Sequence, residues 1–238
     1  METPGYTTLS RQTGLMSEMQ AIANNIANIS TAGFRKEGLI FSEQVAALEP
    51  GEPSLSMAVG DVRVTSSAQG PLSQTGGTFD FAIEGDGFFM LETPDGEALT
   101  RAGVFTPNEA GELVNMDGFL VLDSGGAPIF IPSDAKSIAL ASDGTLSADG
   151  QPLTQLGVFM PEDPNSLNRR DGVSFIADGA TFPVEEPVVL QGFVEGSNVN
   201  AVSEVARMIE VQRAYEMGAT FLEKEDERIR GVLTTLGR

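Results

Sequence analysis

Few residues in the sequence are arranged as chemistry would require, and each such group has a simpler explanation in its surroundings. Gly85-x-Gly87 opens like a loop that cradles phosphate, but Met90 stands where the last glycine of GxGxxG belongs. No GxxxxGK followed by Ser or Thr occurs either, so the glycines read as a hairpin turn. Asn115-x-Asp117-Gly118 has the first ligand types of a calcium loop without the remaining ligand positions, which is the pattern of a β-turn. A pair of carboxylates could hydrolyse a glycoside, but no spacing singles out a pair among 34 acidic residues. Arg169-Arg170 is an adjacent basic pair in a polar stretch, expected to be a solvated loop. The chain has no Cys, no His and no Trp, which removes thiol nucleophiles, disulfides, Cys/His zinc sites and imidazole catalysis. No catalytic, cofactor or metal site is indicated.

The elements that would position any such group fall into three textures. The 238 residues suffice to bury a sizeable core. Within residues 1–33 nothing reads as a strand, and Leu15, Met19, Ile22, Ile26 and Ile29 recur at spacings of 4, 3, 4 and 3. That repeat is a heptad seam and places all five on one helical stripe. Thr7, Thr8, Thr13 and Gly14 lower helix propensity before it, so the first part of the helix is expected to be weak. Gly33 suits a left-handed C-cap, with Phe34 folding back on the last turn. Asn24, Asn25 and Asn28 crowd a sector beside the seam, where amides either fix register between packed helices or mark a frayed end.

The C-terminal segment is the counterpart. Met208, Tyr215, Leu222, Ile229 and Leu236 are spaced by seven; Val205, Ala219 and Leu233 fill part of a second seam position, which Gln212 and Asp226 interrupt. With Asn198 or Asn200 as N-cap and Glu204 near the first turn, a helix from Asn200 to Leu236 spans about 55 Å. It is longer than the N-terminal seam can cover, so much of the stripe from Leu222 to Leu236 needs another partner. Between the helices, Asp-Gly occurs seven times among short apolar runs such as Phe88-Phe89-Met90-Leu91 and Val158-Phe159-Met160. Asp-Gly between such runs predicts type I′ hairpins and an antiparallel all-β domain. The fold class is therefore α+β: N- and C-terminal helices that carry heptad seams, with a central antiparallel all-β domain. The expected boundaries are 1–34 plus 198–238 for the helical core, 35–77 for an extended connector with a strand or two, and 78–197 for the β-rich domain.

The formal net charge of −20 argues against nucleic acid and anionic membrane as partners. Met1–Ser10 lacks a basic n-region and an apolar h-region, and no run of 18 apolar residues occurs. Neither a cleaved signal peptide nor membrane insertion is expected.

Three blocks then carry a resemblance. Ala23-Asn24-Asn25-Ile26-Ala27-Asn28-Ile29-Ser30-Thr31-Ala32-Gly33-Phe34 resembles the N-terminal signature of bacterial flagellar rod and hook proteins. Ala82-Ile83-Glu84-Gly85-Asp86-Gly87-Phe88-Phe89, Thr100-Arg101-Ala102-Gly103-Val104-Phe105 and Gly111-Glu112-Leu113-Val114 are similar to the family's β-domain core. Glu195-Gly196-Ser197-Asn198-Val199-Asn200 and Met208-Ile209-Glu210-Val211-Gln212-Arg213-Ala214-Tyr215-Glu216 resemble its C-terminal motif. The stretch from Phe221 to Gly231 is most similar to proximal rod subunits, although Ala201 stands where many relatives carry Pro.

The resemblance implies a structural, non-enzymatic subunit of the basal-body rod in the periplasm. It would polymerise through its N- and C-terminal helices, paired as a coiled coil that lines an axial tube with the β-domain outside. Its partners would be copies of itself, other flagellar rod proteins and the flagellar type III export apparatus, through which it passes unfolded without a cleaved signal peptide. No cofactor is implied. The expected assembly residues are Leu15, Met19, Ile22, Asn24, Asn25, Ile26, Asn28, Ile29, Gly33, Phe34, Ser197, Asn198, Val199, Asn200, Met208, Gln212, Arg213, Tyr215, Leu222, Ile229 and Leu236. A distal rod or hook subunit is the nearest alternative. A non-flagellar secreted β-domain protein with a helical oligomerisation stalk, or a carboxylate-dependent hydrolase, would be a different class.

Overall fold

A computed structural model of the chain describes residues 3–46, 55–163 and 166–236. Its contacts divide the chain into two units. Unit 1 holds helix α1 (Thr3–Ala27), strands β1 (Glu37–Ala46) and β2 (Leu55–Thr65), and helix α2 (Ala201–Leu236). Unit 2 holds Asn28–Lys36 and Ser67–Val199.

In unit 1, α1 runs through Thr7, Thr8, Thr13 and Gly14 back to Thr3, so tertiary packing overrides their low propensity. Thr13 donates its hydroxyl to the Leu9 carbonyl at 3.1 Å. The helix stops at Ala27, earlier than the seam suggested, and Ile29 therefore lies beyond the helical stripe. The next turn is closed by Asn28, whose carbonyl and Oδ1 each accept from Thr31 at 3.2 Å. α2 begins where its cap predicts: Asn200 Oδ1 accepts the Ser203 N–H at 3.1 Å. Its 36 residues give a length of about 54 Å.

The two helices pack antiparallel. Gln12 Nε2 donates to the Tyr215 carbonyl at 2.8 Å, Arg207 pairs with Glu18 at 2.7 Å, and Asn25 reaches Glu204 at 2.9 Å. Ascending α1 thus descends α2. Leu15, Ile22 and Val211 form the buried centre, with Met19, Ile26, Met208, Ala214 and Tyr215 around them. β1 and β2 pair antiparallel from Glu37↔Thr65 to Ala46↔Leu55, with a bulge at Ile40/Phe41. This hairpin occupies most of the expected connector and belongs to the same unit as the helices.

Unit 2 is antiparallel throughout, and most of it follows the turn pattern. Its strands are β3 (Leu72–Gln74), β4 (Phe81–Glu84), β5 (Phe88–Thr93), β6 (Gly96–Thr100), β7 (Thr106–Pro107), β8 (Leu113–Val114), β9 (Leu120–Val121) and β10 (Ile138–Leu140). There follow β11 (Thr145–Ala148), β12 (Gln151–Gln155), β13 (Val158–Pro161), β14 (Leu167–Asp171), β15 (Ser174–Ala177), β16 (Thr181–Pro183), β17 (Val188–Gln191) and β18 (Phe193–Glu195). The largest sheet runs β14-β15-β6-β5-β9-β8-β7, with β13 joining β5 to β16. Phe81, Ile83, Phe89, Leu91, Leu113, Ile129 and Leu156 fill its main core.

All seven Asp-Gly glycines have positive φ, yet only Asp149 joins its glycine there, with φ of 49°. The type I′ turn is thus confined to Asp149-Gly150, between β11 and β12, and the expectation of I′ turns throughout is corrected. The Pro94-Asp95 turn shows why: proline cannot take positive φ, so Gly96 carries the left-handed residue alone at the Thr93↔Gly96 pair.

Candidate assembly site

The face that α2 turns toward α1 is set by Glu204, Met208, Val211, Tyr215, Gly218, Leu222 and Glu225, at spacings of 4, 3, 4, 3, 4 and 3. Glu204 and Val211 are buried and the others half-buried. The heptad positions at Met208, Tyr215 and Leu222 are therefore correct, but the second seam position lies one residue earlier than the sequence suggested. Gln212 and Arg213 point to solvent, and Gln212 donates to Glu216 on the helix's own surface at 3.1 Å. The signal that would have found the true register is the run Glu204, Val211, Gly218, Glu225, hidden because only one member is apolar.

From Asp226 to Thr235 every residue of α2 is exposed. Ile229 and Val232 continue the spacing of the covered face, with Leu233 beside them one turn after Ile229, and their exposures are 45, 47 and 64 %. Leu236 ends the helix, and its side chain lies outside the described residues. The stripe reaches past the end of α1 and nothing described in unit 1 covers it. Beside the covered part, Thr8, Arg11, Gln12, Leu15, Met217 and Phe221 line a groove of about 350 Å³. At its floor the Gln12 amide lies close against Gly218, where a Cβ would meet Nε2 at 2.3 Å.

Asn25 is the hub of unit 1. It is fully buried. Its Nδ2 donates to the Glu37 carbonyl at 2.8 Å and to Glu204 Oε2 at 2.9 Å, and its Oδ1 accepts the Glu37 N–H at 2.8 Å. One amide thus joins α1, β1 and α2, as register-setting requires. Asn24 adds a bond to Glu37 Oε2 at 3.3 Å, while Asn28 serves the following turn.

The other expected residues fall in unit 2. Gly33 has φ of +71°, six residues past the helix, so it is not a C-cap. A Cβ on it would stand 2.2 Å from the Ala102 nitrogen, so it permits a close backbone crossing instead. Phe34 is buried beneath the Arg169 guanidinium, 4.6 Å from the ring centre, and does not return to α1. Ser197 and Val199 are buried, and Asn198 binds backbone on both sides.

Around these residues lies an ionic cluster that single positions did not reveal. Arg35 and Arg101, both 2 % exposed, flank Glu195 at 3.2 and 3.5 Å. Burial lowers the Arg101 pKa to about 10, with Arg35 adding to the drop and Glu195 opposing it. Arg35 is lowered for the same reason. Arg169 and Arg170 are not a solvated loop. They lie in β14, where Arg169 is stacked between Phe34 and Phe175 and Arg170 pairs with Asp95 at 2.6 Å. Gly85-x-Gly87 is a turn, and Asn115 Oδ1 closes its own turn by accepting from Asp117 and Phe119.

The fold thus has paired terminal helices, an exposed apolar stretch at the end of α2, and an antiparallel unit between them in sequence. Residues 82–148 match the model of the flagellar hook protein FlgE/F/G D1 domain, and residues 190–235 that of the flagellar basal body rod FlgEFG protein C-terminal region. The rod protein FlgF of Mesorhizobium japonicum is 39 % identical over 98 % of this chain and 97 % of its own length. FlgF of Rhizobium meliloti is 36 % identical over 100 and 99 %, and FlgG of Bacillus subtilis is 30 % identical over 93 and 94 %. The chain belongs to the flagellar basal-body rod protein family, a family of structural rod subunits, and within it is most like the relatives named FlgF. Among the described residues no helix is long and apolar enough to cross a membrane.

Proposed function

We propose that this chain polymerises into the rod through its terminal helices, and that the overhanging stripe of α2 is completed by neighbouring subunits. The observation that carries the reading is the exposed apolar cluster Ile229, Val232 and Leu233, which follows directly on the covered face that runs from Glu204 to Glu225. The small apolar centre of the pair, Leu15, Ile22 and Val211, supports it. The helices are marginal alone and gain order as they add to the growing end, where they form a coiled coil lining the axial tube. A head-to-tail contact that does not close on itself extends into a helical assembly.

The partners are copies of this chain and other rod subunits, and its place is the periplasmic rod of the basal body. It reaches that place unfolded through the flagellar type III export apparatus. Its role is structural, with no catalysed reaction. The test is a photo-crosslinking residue at Leu233 in otherwise native basal bodies. Adducts with a second copy or another rod subunit are expected. Crosslinks confined to the same molecule would overturn the reading.

A further inference from the structure

The chain crosses the boundary of unit 2 at Asn28, Lys36, Ser67 and Val199. The segments at these points are tied to one another. Gly33 donates its N–H to the Glu195 carbonyl at 2.7 Å, and Gly196 donates to the Pro71 carbonyl at 2.8 Å. Asn198 Oδ1 accepts the Lys36 N–H at 2.6 Å, and Asn198 Nδ2 donates to the Ala68 carbonyl at 2.7 Å. Arg35 donates to the carbonyls of Ser67, at 2.7 Å, and of Ala68. At the centre, Glu195 Oε1 accepts the Gly70 N–H at 3.0 Å and pairs with Arg35, while Oε2 faces Arg101. One carboxylate, 1 % exposed, therefore serves two buried guanidiniums and a backbone amide.

The central sheet has apolar support of its own, although Arg169 of β14 also donates to the Arg35 carbonyl at 2.6 Å. β5 and β6 pair over five positions, and their side chains Phe89, Leu91 and Leu99 are buried in hydrophobic clusters. Two kinds of stabilisation thus stand side by side: an apolar sheet, and a polar knot drawn from both ends of the chain.

We infer that Glu195 is the pin of a latch. Residues 28–36, 67–71 and 195–199 form one cooperative unit that opens together when the pin is weakened, while the sheet stays folded. Breaking a buried ion pair strands its partner charge, so the loss at Glu195 falls on Arg35 and Arg101 at once. Because Arg35 and Glu195 come from opposite ends of the chain, the latch closes only when nearly the whole sequence is present. It is a conformational device, independent of how subunits contact one another.

Hydrogen exchange on the full chain tests it, using Glu195→Gln and Asn198→Ala. Asn198 does not touch the carboxylate, so it probes cooperativity by a separate route and serves should Glu195→Gln not fold. In both variants the amides of Gly33, Gly70 and Gly196 should exchange about tenfold faster or more, together, with the amides of β5 and β6 changed less than about twofold. The latch is overturned if the knot amides keep their protection, if only groups adjacent to each substitution respond, or if the sheet amides accelerate by the same factor.

Discussion

Replacing Asn25 by Ala removes the side chain that holds α1, β1 and α2 in register. Three buried bonds disappear: the two donated by Nδ2 to the Glu37 carbonyl and Glu204 Oε2, and the one accepted from the Glu37 N–H. Each buried group deprived of such a partner costs about 1–3 kcal/mol, and water entering the vacated space returns part of it. The expected loss is about 3–5 kcal/mol in urea unfolding of the full chain, followed by far-UV circular dichroism. Asn25→Asp separates hydrogen bonding from packing. It keeps the acceptor for Glu37 but loses both donors and brings a second carboxylate to Glu204, so it should cost at least as much as Ala. Adding Glu204→Gln supplies an amide donor toward the new carboxylate and should recover part of the loss. An Ala variant destabilised by less than about 1 kcal/mol, or an Asp–Gln double variant no better than Asp alone, would refute this account of unit 1.

Three further outcomes follow from particular positions. Gly231→Ala should stabilise α2 by about 0.5–1 kcal/mol in thermal unfolding, because it sits inside the helix and no atom lies within 4 Å of the added Cβ. Gly33→Ala should destabilise by at least about 2 kcal/mol, since it meets both the strain of φ +71° and the Ala102 backbone. Asp143 is held below the ordinary carboxylate range mainly by the Thr145 N–H at 2.9 Å. Its stabilisation is present above the unfolded pKa and fades as pH falls through the folded one, so the stability gap between wild type and Asp143→Asn should shrink on acidification.

Much of the architecture is written locally. The spacing of Met208, Tyr215 and Leu222, and the cap at Asn200, suffice to place α2, because a helix repeats every few residues and its start needs one side chain. The turns announce themselves for the same reason: only glycine takes positive φ without strain. What escapes a linear reading is pairing at a distance. Glu204 occupies a seam position as an acid, where its buried carboxylate accepts from Asn25. Arg35 and Glu195 look like surface charges until the fold brings them together. A strand or two is legible in the connector, but not that Glu37–Ala46 and Leu55–Thr65 pair along their whole length.

The uncovered end of α2 is best tested by Ile229→Asp combined with Leu233→Asp. Both side chains are exposed, so the isolated protein should unfold within about 0.5 kcal/mol of wild type. In cells, the content of this chain in purified basal bodies should fall to background and swimming should cease. Rods that incorporate the double variant at wild-type levels would contradict the account.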